Sequence, residues 1–208
     1  MEILKACQRI SNSVFPNESE KPIQSLLVTS SVKGEGASRI ASSLAEFLAN
    51  YRNKKVCLID ASFEGPSLHK IFNLENDSGL LNATENPNTL DAMIRPTDTP
   101  NLSIITSGTT GRKWLEVLLL ENIQSIIQEL KTKFDVVIFD SSAISHNVHS
   151  LDIAPHVDGV ILVVHAGHTR WEVVQDSKNQ LDRVHANFMG VVLNRRKLFI
   201  PNFLYRSL

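Results

Sequence analysis

The chain has 208 residues, 42% of them hydrophobic and 21% charged, which suits one well-buried domain and excludes a disordered or fibrous chain. Its formal net charge of -1 offers no global attraction to polyanions, so nucleic acid is not an expected partner and any membrane contact must come from a local patch. The two cysteines, Cys7 and Cys57, are too few for a disulfide scaffold and lack metal-ligand spacing, which points to a reducing compartment.

The opening segment MEILKACQRISNSVF has no continuous apolar core of the signal-peptide kind, and no window approaches ~18 apolar residues. A cytoplasmic domain that does not itself span a membrane is expected. Residues 1–22 read as an N-terminal helix and linker, with 17–22 the linker. Short apolar runs rich in β-branched residues follow at 24–31, 55–60, 102–106, 135–140, 159–165 and 189–194. Between them lie segments of helical spacing at 38–51, 113–131 and 169–185; in the first, Ile40, Leu44, Phe47 and Leu48 share one side. Residues 73–101 are polar and carry Pro87, Pro96 and Pro100, which predicts a loop with one short helix at 90–94. Trp114 and Trp171 open helical segments and read as packing residues, with a partner-facing edge as the alternative for Trp171. Strands that are apolar throughout and alternate with helices imply one α/β domain over residues 1–208, a doubly wound, mostly parallel sheet with helices on both faces.

The first strand runs directly into SSVKGEGASRIASSLAEFL, that is, strand, glycine-containing loop, helix. Gly34 and Gly36 let the backbone curl so that several N–H groups converge on one anion at a helix N-terminus. Against G-x-x-x-x-G-K-[ST], residues 31–38 keep the second glycine, Gly36, and the hydroxyl, Ser38, but place Ser31 at the first glycine and Ala37 at the lysine. The lysine offsets charge on the outer phosphates, so a methyl group there removes a large electrostatic contribution to phosphoryl transfer. Lys33 is either a partial stand-in or a solvated loop residue. The candidate nucleotide-binding set is Lys33, Gly34, Glu35, Gly36, Ala37, Ser38 and Arg39. Two strands end on carboxylates, Asp60 and Asp140, where open α/β sheets bind ligands. Asp140 suits magnesium alongside the Ser38 hydroxyl, and Asp60 suits orienting a water; together they form the candidate catalytic pair.

Five ordered segments, SLLVTSSVKGEGASRIASSLA, VCLIDASFEGPSLHKIF, FDVVIFDSSAI, VDGVILVVHAGHTR and MGVVLNRR, resemble the bacterial tyrosine autokinases of capsule and exopolysaccharide assembly over nearly the whole chain. The resemblance implies a P-loop fold shared with septum-positioning and plasmid-partition ATPases, with ATP or ADP and Mg2+ as ligands. It implies docking on the cytoplasmic tail of a membrane chain-length regulator, and association with its own kind through a worn N-terminal motif at Glu2, Lys5 and Gln8. It also places Asn194 and Arg195 beside the adenine. The chain departs from the family at Ala37 for the phosphate lysine, Ser62 for the second aspartate of D-x-D and His149 for a catalytic aspartate. Ser142 and Ala143 stand for two prolines, Glu64 and Gly65 for arginines, and the single Tyr205 for a tyrosine cluster.

The C-terminal tail, residues 195–208, interleaves Arg195, Arg196, Lys197 and Arg206 with Phe199, Phe203 and Tyr205, a pattern that fits either a lipid headgroup layer or packing on the domain itself. The seven histidines lack a compact metal-ligand arrangement. The expectation is a regulatory or scaffolding relative of the kinases that binds nucleotide weakly or not at all. The alternatives are an active Mg-ATP-dependent tyrosine autokinase and a positioning ATPase, the last disfavoured by Val32 near the place of those proteins' second lysine.

Overall fold

A computed structural model describes residues 2–16, 22–109, 120–146 and 149–196. The first part of the predicted helix at 113–131 with Trp114, most of the linker, and residues 197–208 with Tyr205 lie outside the described residues.

The described residues form a seven-stranded sheet: β1 (Ser25–Ser30), β2 (Val56–Ala61), β3 (Arg95–Pro96), β4 (Leu102–Ile105), β5 (Val136–Ser141), β6 (Gly159–His165) and β7 (Phe188–Asn194). Their spatial order is β3-β4-β2-β5-β1-β6-β7, with every pairing parallel except that of the two-residue β3 with β4. The helices are α1 (Glu2–Val14), α2 (Ala37–Tyr51), α3 (Leu68–Ile71), α4 (Leu80–Glu85), α5 (Leu90–Met93), α6 (Leu120–Lys133), α7 (His149–Ile153) and α8 (Trp171–Arg183). The six apolar runs become six strands within a residue or two, and 169–185 tightens to α8. The polar stretch 73–101 holds more order than predicted: α4, a 3-10 turn at Pro87–Thr89, α5 and the edge strand β3. Its elements are too short to show a helical or strand period in sequence.

Every residue of β1, β2 and β5 is buried, the mark of a sheet covered on both faces. Alternate side chains divide between two cores. Leu26, Val28, Leu58 and Ile138 meet Ile40, Leu44 and Leu48 of α2 and Val14 of α1. On the other face Leu27, Ile59, Phe139 and Leu162 meet Ile123, Ile127 and Leu130 of α6 and Leu181 of α8. Each fully buried Leu or Ile contributes about 1.5–3 kcal/mol relative to exposure, so the two faces anchor the central strands from both sides. Trp171, at the start of α8, is 68% exposed, so it stands at the surface and not in the domain's core.

The carboxyl ends of β1, β2 and β5 lie side by side, with Asp60 of β2 in register with Asp140 of β5. The chain leaves β1 for α2 at this edge, so the glycine loop sits over the two strand-end carboxylates.

Candidate nucleotide site

The phosphate loop is shaped by two left-handed glycines, Gly34 with φ 91° and Gly36 with φ 94°. Both angles lie where a side chain is strained, and a Cβ on Gly36 would sit 2.5 Å from Nδ2 of Asn194. Gly36 caps α2 without any side-chain acceptor, so the first backbone N–H groups of the helix stay available at the loop. They face a cavity of about 410 Å3 lined by Lys33, Gly34, Gly36, Ala37, Ser38 and Arg195 from the predicted set. Ser30, Ser62, Glu64, Gly65, Ser141, Ser142, Ala143 and His146 complete the wall.

Three members of the predicted set do not line it. Arg39 is exposed on the first turn of α2. Asn194 uses Nδ2 to donate to the Glu35 carbonyl at 2.8 Å, fixing the loop instead of reaching a ligand. The Glu35 side chain turns away and is 1% exposed. Its carboxylate accepts from the backbone N–H of Val32 at 2.9 Å, from that of His165 at 3.0 Å and from the Thr169 hydroxyl. The acidic side chain of the phosphate loop thus fastens the loop to the end of β6 and is withdrawn from its concave backbone face. The loop after β5 is fastened alongside, with the Ile144 and Ser145 N–H groups donating to the carbonyls of Ser30 and Ser31.

The two carboxylates beneath the loop differ in their engagements. Asp60 is fully buried and accepts three backbone N–H groups, from Ser62 at 3.0 Å and from Ser67 and Leu68 at 2.9 Å each. Burial raises its carboxyl above the usual carboxylate range, and those three bonds oppose the rise. Its geometry anchors the segment that leads into α3. Asp140 is equally buried, yet neither oxygen has a hydrogen-bond partner among the described residues. Burial, then the negative charge of Asp60, push its carboxyl well above the usual range; the Ser38 hydroxyl, which faces it without closing a hydrogen bond, works the other way. An orphaned buried carboxylate next to a hydroxyl at a phosphate loop is a donor set that a hard divalent cation satisfies. The residues present therefore fit Mg2+ held through Asp140 and Ser38, with a nucleotide phosphate on the loop.

Among the described residues, no buried positive charge lines the cavity. Ala37 is 7% exposed at the position of the lysine, and the cations that line the wall, Lys33 and Arg195, are exposed. Hydroxyls take the place of charge elsewhere: Ser62 and Ser142 meet at 2.9 Å across the cavity wall. The Ser142 carbonyl accepts from Thr29 and Ser150 hydroxyls at 2.7 and 2.6 Å. His149 is 2% exposed, set edge-on to Phe63 at 5.7 Å between ring centres, and burial holds its imidazole below its ordinary value against the pull of Asp152 and Glu64. It does not line the cavity. Ser30, Ser141 and His146 were not legible as wall residues, because strand-end serines carry no spacing signal and their convergence depends on the order of β1 and β5.

A family model described as ParA, NUBPL iron-transfer P-loop NTPase, matches residues 22–205. The putative tyrosine-protein kinase CapB of Staphylococcus aureus is 30% identical over 185 residues, covering 89% of this chain and 80% of that protein. The succinoglycan biosynthesis transport protein ExoP of Rhizobium meliloti is 27% identical over 173 residues, covering 82% of this chain and 22% of ExoP. Among solved structures, the chimerical protein CapA2B2 superposes with a TM-score of 0.82 at 27% identity, covering 93% of this chain and 84% of that one.

Proposed function

Since this chain belongs to the ParA-type P-loop NTPases and its close relatives are bacterial tyrosine kinases, we propose that it is a kinase-derived regulatory or scaffolding subunit of exopolysaccharide or capsule assembly. In this reading it binds Mg-nucleotide weakly, transfers phosphate poorly, and works at the inner face of the membrane on the cytoplasmic tail of a chain-length regulator. The observation that carries the reading is Ala37: a buried methyl group stands where phosphoryl transfer needs a cation, inside a loop that keeps its second glycine and its hydroxyl, Gly36 and Ser38. Two further places support it. Ser62 cannot act as a carboxylate, and His149, held below its ordinary value by burial and packed on Phe63, offers a neutral ring rather than an anion. In this reading a membrane partner supplies the attachment; no described helix is long and apolar enough to cross a membrane.

Autophosphorylation and phosphate release from Mg-ATP, measured for the wild-type chain and for Ala37→Lys, test this directly. Wild type is expected to give neither above background. Wild-type turnover in the range of active kinases, about 1–100 per second, would overturn the proposal. One observation favours an active kinase as the second reading: Lys33 lines the same cavity and could approach the outer phosphates. Under that reading Lys33→Ala abolishes a turnover that wild type possesses.

A further inference from the structure

We propose that the C-terminal segment, residues 197–208, covers the open edge of the sheet, running back antiparallel beside β7 and placing apolar side chains on both of its faces. This contact is independent of nucleotide.

Among the described residues β7 pairs with β6 alone, so its other side is a free edge of the sheet. The Ala166 N–H donates to the Asn194 carbonyl at 3.0 Å, so by alternation Val192 and Asn194 turn their backbone groups to β6 while Val191 and Leu193 turn theirs outward. The strand, Phe188–Asn194, carries neither charge nor proline, the devices by which natural edges repel a second strand. Both of its faces are short of cover. Val191 and Leu193 are exposed on one face. On the other, Met189 and Val192 reach the core beside α1, yet a groove of about 430 Å3 stays open between them and Ala6 and Ile10. Gly190 lines this groove too, and a Cβ on it would meet nothing within 4 Å.

The chain beyond β7 has the position, length and composition to close this edge. At Arg195 the backbone is left-handed, φ 55°, and its N–H donates to Oδ1 of Asn194 at 2.9 Å, which ends the strand in a turn. Residues 197–208 follow directly and outnumber the seven residues of β7. Leu198, Phe199 and Ile200 form an unbroken apolar run, which suits a strand covered on both faces. A lipid surface asks for something else, a helix with one apolar side. At about 100° per residue, Leu198, Phe199, Ile200, Phe203, Leu204 and Tyr205 spread around every side of a helix, and Pro201 interrupts it. On an outer strand Pro201 has no N–H to satisfy, and it leaves the new edge blunted.

Amide hydrogen exchange, followed by NMR on the full chain, tests this with wild type and the double variant Phe199→Asp, Ile200→Asp. In wild type the outward N–H groups of Val191 and Leu193 are expected to exchange at least about 10-fold more slowly than in the variant. Those of Val192 and Asn194, turned to β6, are expected to exchange alike in both. Equal rates for Val191 and Leu193 in the two proteins would overturn the proposal. Protection that fades on dilution would give the edge to a second copy of the chain and overturn it as well. Sedimentation of wild type, but not of the variant, with phosphatidylglycerol vesicles would assign the segment to a lipid surface instead. Should the variant not fold, wild type decides alone: Val191 and Leu193 exchanging as fast as exposed loop amides overturns the proposal, and slow exchange at every concentration sustains it.

Discussion

Asp140 illustrates how one side chain can serve a ligand at the expense of the ligand-free fold. A buried carboxylate with no hydrogen-bond partner among the described residues loses hydration for little return, and Asp60 adds repulsion. Asp140→Asn is therefore expected to stabilise the ligand-free protein by about 1–3 kcal/mol at neutral pH, the scale of one unsatisfied buried polar group, as read from urea unfolding. A destabilised variant would mean that the carboxylate is paired in solution. His149 gives the opposite pH signature to a raised acid. Its folded-state value lies below the ordinary 6.5, so the unfolded chain binds the proton more readily and stability falls as pH drops through about 6.5 toward that lowered value. His149→Gln should lose this part of the acid sensitivity, and unfolding free energies at about pH 7.5 and 5.5 for both proteins check it; parallel slopes would assign the effect to other histidines. At this scale the sequence located Asp60 and Asp140 through strand ends, but it could not distinguish them. Only the folded chain engages one in three backbone hydrogen bonds and leaves the other without one among the described residues.

The phosphate loop behaves as an element in its own right, held from outside by the ends of β6 and β7. Glu35→Ala strands the buried N–H groups of Val32 and His165 and should cost about 2–4 kcal/mol, whereas Glu35→Gln, which keeps one acceptor oxygen, should cost clearly less. Equal losses in urea melts would show that volume rather than hydrogen bonding matters there. Gly36→Ala meets two obstacles, a positive φ and the Asn194 amide at 2.5 Å. Removing that amide with Asn194→Ala should recover only part of the loss, because about 1–2 kcal/mol of backbone strain remains. A double-mutant cycle with zero coupling would rule out the contact. Gly34 and Gly36 were readable as turn formers from their place between strand and helix. The role of Glu35 was not, since its partners lie 130 and 134 residues away along the chain.

Across the whole molecule, the two cysteines report on how the parts come apart. Cys57 is fully buried among the sheet's core residues, and burial pushes its thiol far above the ordinary value. Cys7, on α1, is 1% exposed, and burial, then Glu46, push its thiol up to about 11. Neither is expected to react with iodoacetamide in the native protein near pH 8. In mild urea Cys7 should react before Cys57, because α1 packs on α2 at the border of the fold while β2 is central. Simultaneous modification would show that α1 opens only with global unfolding.

Composition, the six apolar runs and the strand-loop-helix segment were sufficient for the α/β class and the place of the phosphate loop, because each follows from local periodicity and glycine chemistry. The methyl group of Ala37 was likewise visible in the letters alone. Tertiary structure decided the rest. The order β2-β5-β1-β6 brings residues 30, 38, 62, 142 and 195 to one cavity, withdraws Glu35 and Asn194 into the scaffold, and seals Asp140 beneath the loop with no hydrogen-bond partner among the described residues. No local pattern encodes such an arrangement, because a carboxylate's charge partners are set by which strands become neighbours.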